Sequence, residues 1–317
     1  MTDTQNEVFK TPVNKIRLFE HGAPGSQNLK LTRKYYTEDM PDGRVKHIVQ
    51  NITDPDIVPY IPDGIGNSTD RQRIPAVLII SGGAFRRLVY NFEGEDVAKW
   101  LNSMGIAAFV LECRLPSDEH DNAEDVPLID AMRAMRVIRG RAQEFGIDEA
   151  KIGVMGFSAG GFMAALLSTA YESDVYADYK YKDEYDKLSA RPDFAVCSYP
   201  VISIDDCIEA GKRYMSEEQV LERISDGKAK ILHKYNPDKL VRPDMPPVFI
   251  CETDDDRTTL SENSVGFYMA ARKAGVSAEL HIFRTGGHGY GCGDDFAQTG
   301  EWKVLFTKWI KSIGIIS

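Results

Sequence analysis

The sequence predicts an α/β fold: one mostly parallel sheet with helices packed on both faces. Three observations point there. Apolar runs of strand length alternate with amphipathic stretches of helix length along most of the chain. The runs are continuous rather than alternating in polarity, as expected of strands buried on both faces. The connections between them are long enough for the crossover helices that parallel neighbours require. No internal repeat and no linker divides the 317 residues, so 46–317 read as one domain and 1–45 as an N-terminal extension packed on it.

Residues 1–45 are polar and irregular, with one short apolar patch at Ile16 to Phe19. VKHIVQNIT (45–53) alternates as a strand does, and the Pro, Gly and polar residues of 59–74 read as a loop. PAVLIIS (75–81) is the first buried strand, EGEDVAKWLNSM (93–104) a helix and IAAFVLEC (106–113) the next strand. VPLIDAMRAMRVIRGRAQEF (126–145) puts Leu128, Met132, Met135 and Ile138 on one helical face, with Gly146 as its C-cap. KIGVMGF (151–157) is a strand and AGGFMAALLSTAY (159–171) a helix. DFAVCSY (193–199), PPVFICET (246–253) and AELHIF (278–283) are strands. SENSVGFYMAARKAG (261–275) is a helix, and DDFAQTGEWKVLFTKWIKSI (294–313) closes the chain as another. Two stretches, 171–192 and 200–245, break the alternation. Loops at the C-terminal ends of parallel strands overhang the ligand crevice. Both stretches are therefore expected as a lid or substrate wall, the alternative being a solvated surface insertion.

With 43% hydrophobic and 27% charged residues the composition is ordinary for a globular protein. A net charge of -10 disfavours nucleic acid and anionic membranes as partners, since both need a basic patch. The five cysteines are scattered and form no CxxC pair, so neither a zinc site nor a redox pair is expected. Cys113, Cys197 and Cys251 lie in apolar runs, as buried reduced thiols do. The start, MTDTQNEVFK, lacks a signal core, and no apolar run approaches the roughly 20 residues of a membrane span. The expectation is a soluble, cytoplasmic protein. Asn51-Ile52-Thr53 and Asn67-Ser68-Thr69 match the glycosylation pattern, which matters only in a secreted chain.

Gly156-x-Ser158-x-Gly160 lies between an apolar strand and a helix, with the spacing of a nucleophile elbow. There the chain reverses sharply and a side chain at either glycine would strike neighbouring backbone. The helix N-terminus favours developing negative charge. The alternative is a Gly-rich turn whose serine only caps the helix. A nucleophilic serine needs a base. Of the six histidines, His288 in TGGHGYG follows the last strand, among glycines that let an imidazole approach another loop. His281 lies inside that strand and reads as structural. Elbow enzymes of this kind run Ser, acid, His along the chain. The acid then falls on the loop after the penultimate strand, where FICETDDDRTTL offers Asp254, Asp255 and Asp256. An oxyanion needs N–H donors. Ala159 supplies one and the loop Ser81-Gly82-Gly83-Ala84-Phe85 the others, unless its glycines only set the chain direction.

These motifs resemble those of the α/β-hydrolase superfamily, near its acetyl-esterase and acetylxylan-esterase-like members related to the hormone-sensitive-lipase branch. The resemblance runs from about residue 45 onward. GFSAGG resembles the group's nucleophile motif, and SGGAF stands where its members carry P-G-G-G-Y or H-G-G-G-W. Residues 92–116, 191–203 and 275–291 are similar to it as well. The group's acid motif, H-x-x-D-D-P-V-V-P, laid on ETDDDRTTL puts the acid at Asp256, with Asp255 as the alternative. Glu252 replaces the His there, and Arg257-Thr258-Thr259-Leu260 replaces P-V-V-P. Ala84 replaces the third glycine and keeps its N–H.

The resemblance implies an α/β-hydrolase fold with a small lid. It implies a serine carboxylesterase that removes short acyl groups, acetyl foremost, from sugars or xylo-oligosaccharides. Ser158 would attack the ester, His288 would carry its proton, Asp256 would orient His288, and the N–H groups of Gly83, Ala84 and Ala159 would hold the oxyanion. No metal and no cofactor is implied. The partner is a small-molecule or oligosaccharide ester, and a homo-oligomer is compatible with the pattern. The alternatives are a peptidase or amidase on the same triad, and a hydrolase-like binding protein without chemistry.

Overall fold

The computed structural model describes residues 9, 13–64, 73–213, 216, 218, 219, 228–293 and 297–317. The polar N-terminus other than Phe9, Asn67-Ser68-Thr69 with the rest of 65–72, part of 200–245, and residues 294–296 of the closing segment lie outside the described residues.

An eight-stranded sheet forms the centre. In chain order its strands are β1 (Ile16–Arg17), β4 (Asp56–Tyr60), β5 (Ile74–Ile80), β7 (Ala107–Glu112), β8 (Ile147–Phe157), β9 (Ala195–Ser198), β10 (Val248–Thr253) and β11 (Ala278–Phe283). Across the sheet they run β1-β4-β7-β5-β8-β9-β10-β11. From β7 to β11 every pairing is parallel; β4 joins β7, and β1 joins β4, antiparallel. The apolar runs of β7, β9 and β10 are buried throughout, as strands covered on both faces must be. A small antiparallel sheet of β2 (Lys34–Asp39), β3 (Val45–Gln50) and β6 (Leu88–Val89) stands beside it.

Helices α2 (Val126–Gly140), α4 (Ala159–Ala170) and α7 (Ser261–Lys273) cover one face. On the other, α1 (Asp96–Ser103) meets α9 (Trp302–Ser312) through Trp100, whose ring lies 4.9 Å from that of Trp302 and 5.4 Å from that of Phe306. The stretch expected as one helix over 126–145 is two, because the chain breaks at Arg141 before α3 (Ala142–Phe145). Gly146 caps α3 at φ 66, a left-handed conformation that favours glycine. The closing segment is likewise divided, into α8 (Ala297–Gly300) and α9.

The N-terminal extension, read as irregular, contributes β1 and β2, and the loop expected over 59–74 begins inside β4. Charged and turn-type residues hid these strands. Asp56 opens β4 and is buried because the chain supplies cations from far upstream. Arg33 lies 2.6 Å from both Asp56 and Glu112, and Lys15 lies 2.5 Å from Glu112. Arg114 and Asp130 form a second buried pair at 2.6 Å, and the same guanidinium donates to Ser26 Oγ at 2.8 Å.

Of the two stretches expected over the crevice, 171–192 places residues 174–181 beside Pro24, Gly25 and Asn122, the last in the loop that leads from β7 to α2. The stretch follows the C-terminus of α4, which carries the chain away from the elbow, and packs along α2. Arg133 pairs with Asp183 and Asp186, Arg136 bonds the Tyr176 hydroxyl, and Tyr185 lies against Gly140. The described part of 200–245 carries α5 (Ile204–Lys212) and α6 (Lys228–Lys234). α6 packs on the turn Pro116–Asp118 that follows β7, and Lys234 bonds Asp125 at 2.7 Å. α6 therefore stands beside a loop that follows a strand C-terminus.

Candidate active site

β8 ends at Phe157 and α4 begins at Ala159, leaving Ser158 alone in the turn at φ 53, ψ -118. A left-handed φ on a residue with a Cβ is strained and persists only where its surroundings impose it. The flanking glycines show what imposes it. A Cβ at Gly156 would sit 1.9 Å from the Gly160 carbonyl oxygen, and one at Gly160 would sit 2.0 Å from that of Ile80. The turn therefore packs too tightly for any other residue at either position, and the Ser158 side chain is left as its only substantial polar group.

Ser158 Oγ lies 2.8 Å from His288 Nε2, and His288 Nδ1 lies 2.7 Å from Asp256 Oδ2. In the tautomer that suits both contacts, Nδ1–H donates to Asp256 and Nε2 accepts from the serine hydroxyl. Asp256 is 3% exposed, and its Oδ1 accepts from the N–H groups of Thr258 at 2.6 Å and Thr259 at 2.9 Å. Its Oδ2 accepts from the Thr259 hydroxyl at 2.9 Å as well as from His288. Burial pushes the Asp256 carboxyl up, but the bond and charge of His288 and these backbone donors outweigh it and leave it below the usual range. The neighbouring Glu252 is pushed well above its usual range by burial and by the Asp256 charge, which favours its neutral form.

The three adjacent aspartates divide cleanly. Asp255 does not touch the imidazole; its Oδ1 accepts from the N–H groups of Gly286 at 2.9 Å and Gly287 at 2.8 Å, bracing the backbone of the His288 loop. Asp254 is exposed. His281 pairs with Glu279 on β11 at 2.8 Å, as a structural residue would. Cys113, Cys197 and Cys251 are buried free thiols, and burial pushes all three up.

The loop after β5 runs beside the elbow. Gly83 has φ 135 and a Cβ there would sit 2.1 Å from the Arg87 carbonyl oxygen. Ala84 and Phe85 follow at φ 58 and φ 59. The Gly82 N–H is taken, donating to Glu93 Oε2 at 2.7 Å. Among the described residues no acceptor takes the N–H of Gly83 or Ala84. Ala159 opens α4, where the first N–H groups have no intrahelical partner. A small apolar cavity of about 10 Å³ adjoins Ala159, with Phe85, Leu88, Leu115, Pro127 and Met163 in its wall.

Sequence reasoning passed over Glu93 and Tyr199. Glu93 sits in a wide turn over Asn91–Glu95 and is 5% exposed. Its Oε1 accepts from the Tyr199 hydroxyl at 3.0 Å, and that hydroxyl accepts from the Gly291 N–H at 3.1 Å. The Tyr199 ring meets His288 edge-on, with centroids 5.0 Å apart. Beyond it, Trp302 Nε1 donates to the Gly291 carbonyl at 3.1 Å. Nothing in a polar helix start such as EGED marks one glutamate for burial, so no local signal could have found Glu93.

The BD-FAE family model matches residues 65–270. The chain is 30% identical over 240 residues to an acetylxylan esterase of Xylanibacter ruminicola, a match that covers 75% of this chain and 45% of that protein. It thus spans less than half of that relative's length. An acetyl ester-xyloside bifunctional hydrolase from Caldicellulosiruptor lactoaceticus is 38% identical, with a TM-score of 0.67 over 84% of this chain and 91% of that one. A carboxylesterase from Lactobacillus plantarum, 20% identical, has the same fold, with a TM-score of 0.67 over 90% of this chain and 99% of that one. Among the described residues no helix is long and apolar enough to cross a membrane.

Proposed function

The chain belongs to the BD-FAE family and carries the α/β-hydrolase fold, and from that premise we propose that it is a serine carboxylesterase acting on acetyl esters of sugars or xylo-oligosaccharides. The observation that carries this reading is the unbroken hydrogen-bonded chain from Ser158 through His288 to Asp256. Ser158 Oγ attacks the ester carbonyl while His288 Nε2 takes its proton. Asp256 holds the ring and stabilises the imidazolium that results. The oxyanion is held by the N–H groups of Gly83, Ala84 and Ala159, the last at the positive end of α4. Collapse breaks the bond to the alcohol, which leaves with the proton from His288. Water, deprotonated by the same Nε2, then attacks the acyl-serine and releases the carboxylic acid.

Acetyl is favoured by likeness to a protein named as an acetylxylan esterase, and the small apolar cavity beside Ala159 is the acyl site we assign. The sugar alcohol is favoured by likeness to proteins named as an acetylxylan esterase and an acetyl ester-xyloside hydrolase. The test is a panel of p-nitrophenyl esters from acetyl to dodecanoyl, with acetylated xylo-oligosaccharides and an aminoacyl anilide beside them. The expected result is fastest turnover of acetyl esters, release of acetate from the oligosaccharides, and no anilide cleavage. Ser158→Ala should lower kcat by about 10³-fold or more. Full turnover by that variant, or cleavage of the anilide alone, would overturn the reading.

A further inference from the structure

Among the buried carboxyls that the proton chain does not use, that of Glu93 reaches both loops on which the chain depends. Glu93 Oε2 accepts from Gly82, which opens the proposed oxyanion loop, at 2.7 Å. Glu93 Oε1 accepts from the Tyr199 hydroxyl at 3.0 Å, and Tyr199 in turn accepts from Gly291, in the loop of His288, at 3.1 Å. One side chain and one phenol thus connect the loop after β5 to the loop after β11, with β8, β9 and β10 lying between those strands.

The surroundings are shaped to admit this carboxyl. A Cβ at Gly82 would sit 2.7 Å from Glu93 Oε2 and 2.8 Å from Ser158 Cβ. A Cβ at Gly94 would sit 3.1 Å from both Ser81 Oγ and Val110 Cγ1. Glycine at both positions lets the wide turn press Glu93 under the elbow. The bonding pattern also assigns its charge. The Gly291 N–H fills the acceptor role of the Tyr199 hydroxyl, so the phenol proton points to Glu93. Each carboxyl oxygen then receives a donor and neither gives one, which is the inventory of a carboxylate.

We propose that Glu93 is a positioning residue of the esterase site: its carboxylate holds the oxyanion loop and the histidine loop in register and supplies a second negative charge that favours the imidazolium form of His288. This rests on the esterase reading. Burial raises the Glu93 carboxyl above its usual range, and the charge of His288, the Tyr199 hydroxyl, the Gly82 N–H and Lys46 on β3 pull the other way without cancelling it. His288 itself faces Asp256 and Thr259 from the loop after β10, Ser158 from the elbow and the Tyr199 ring from the end of β9. Asp256 and Glu93 both interact with the charge of the ring.

Three variants separate charge from reach. Glu93→Gln keeps the size, removes the charge and sets a donor against a donor. Glu93→Asp keeps the charge and shortens the reach. Tyr199→Phe keeps the charge and cuts the link to Gly291. The His288 ring is titrated by NMR in each folded protein, a readout that needs no substrate, and kcat and KM for p-nitrophenyl acetate are followed across pH. In Glu93→Gln the ring should titrate about one pH unit lower, with the acid limb of kcat/KM moving alongside. Its kcat should fall roughly 10–100-fold while KM stays within about threefold, as expected when oxyanion donors lose their placement. Glu93→Asp and Tyr199→Phe should keep the wild-type ring titration and lose kcat by about tenfold. An unshifted His288 titration in Glu93→Gln overturns the charge assignment, and so does an equal shift in Glu93→Asp. If Glu93→Gln does not fold, wild-type kcat in both remaining variants overturns the register role. Inactivity of the wild type on every ester would instead count against the esterase reading, and the NMR comparison would still decide the inference.

Discussion

Two neighbouring aspartates with the same side chain hold different parts of one loop. Asp256 meets the imidazole of His288, whereas Asp255 meets the backbone N–H groups of Gly286 and Gly287. Asp256→Asn should lower kcat by about 10⁴-fold by favouring the wrong tautomer, whereas Asp255→Asn should cost about tenfold or less, since an amide oxygen still accepts from the loop. Steady-state kinetics on p-nitrophenyl acetate check the difference. The same carboxylate carries a pH signature. Its folded-state pKa lies below the unfolded value of about 3.9, so its contribution to stability is present above that pH and lost as pH falls through the folded value. The melting temperatures of the wild type and Asp256→Asn should therefore converge as pH is lowered below about 4. Ser158 and His288 were legible because each sits in a local glycine-rich pattern that names its own turn. Choosing Asp256 over Asp255 needed the resemblance, because three adjacent acids look alike until the loop is folded. Glu93 was not legible at all, since its partners Gly82, Tyr199 and Gly291 come from three other loops.

Among the elements, the strands were the most readable and their surroundings the least. Continuous apolar runs located the parallel strands to within a residue or two except at the start of β8, which begins four residues early through Asp148 and Glu149; elsewhere burial on both faces leaves little room for polar side chains. The connections were harder, as 171–192 shows: its place along α2 follows from the direction of α4, which composition does not record. The small cavity is likewise a property of several elements together, the loop after β5, β6, the loop after β7 and the starts of α2 and α4. Leu115→Ala removes one wall of it and should shift acyl preference from acetyl towards propionyl and butyryl. A change of roughly 10-fold or more in the ratio of kcat/KM values, the worth of about one or two methylenes, is expected from the ester panel.

For the molecule as a whole, the described part of the N-terminal segment adds strands to both sheets, β1 to the large one and β2 to the small one. β1 pairs with β4, and Lys15 and Arg33 balance the buried Asp56 and Glu112. Ser26 receives the Arg114 guanidinium, which also bonds Asp130 and the Pro24 carbonyl. Breaking a buried pair by removing one partner typically costs about 3–5 kcal/mol, because the remaining charge stays buried. Arg33→Met should therefore destabilise the protein by an amount of that order in urea unfolding. The cluster also sets a slope with pH. Burial and the Glu112 charge push Asp56 up to about 6 despite Arg33 and Lys15. The native state then holds a proton that the unfolded chain has released, so this residue's contribution falls as pH rises from about 4 towards 6. Asp56→Asn should flatten stability over that window. None of this was readable in the sequence, because a charged residue declares its burial only through partners, and these lie far away along the chain.

The contact between the Trp302 indole and the Gly291 carbonyl has an optical consequence. The chain has three tryptophans, and Trp100, Trp302 and Trp309 share one aromatic cluster with Phe306. Near-ultraviolet emission therefore arises from a single neighbourhood, and one of its chromophores is tethered to the segment that carries His288. Any ligand that displaces that segment alters the polarity around the indole, so the protein carries its own unlabelled reporter of occupancy.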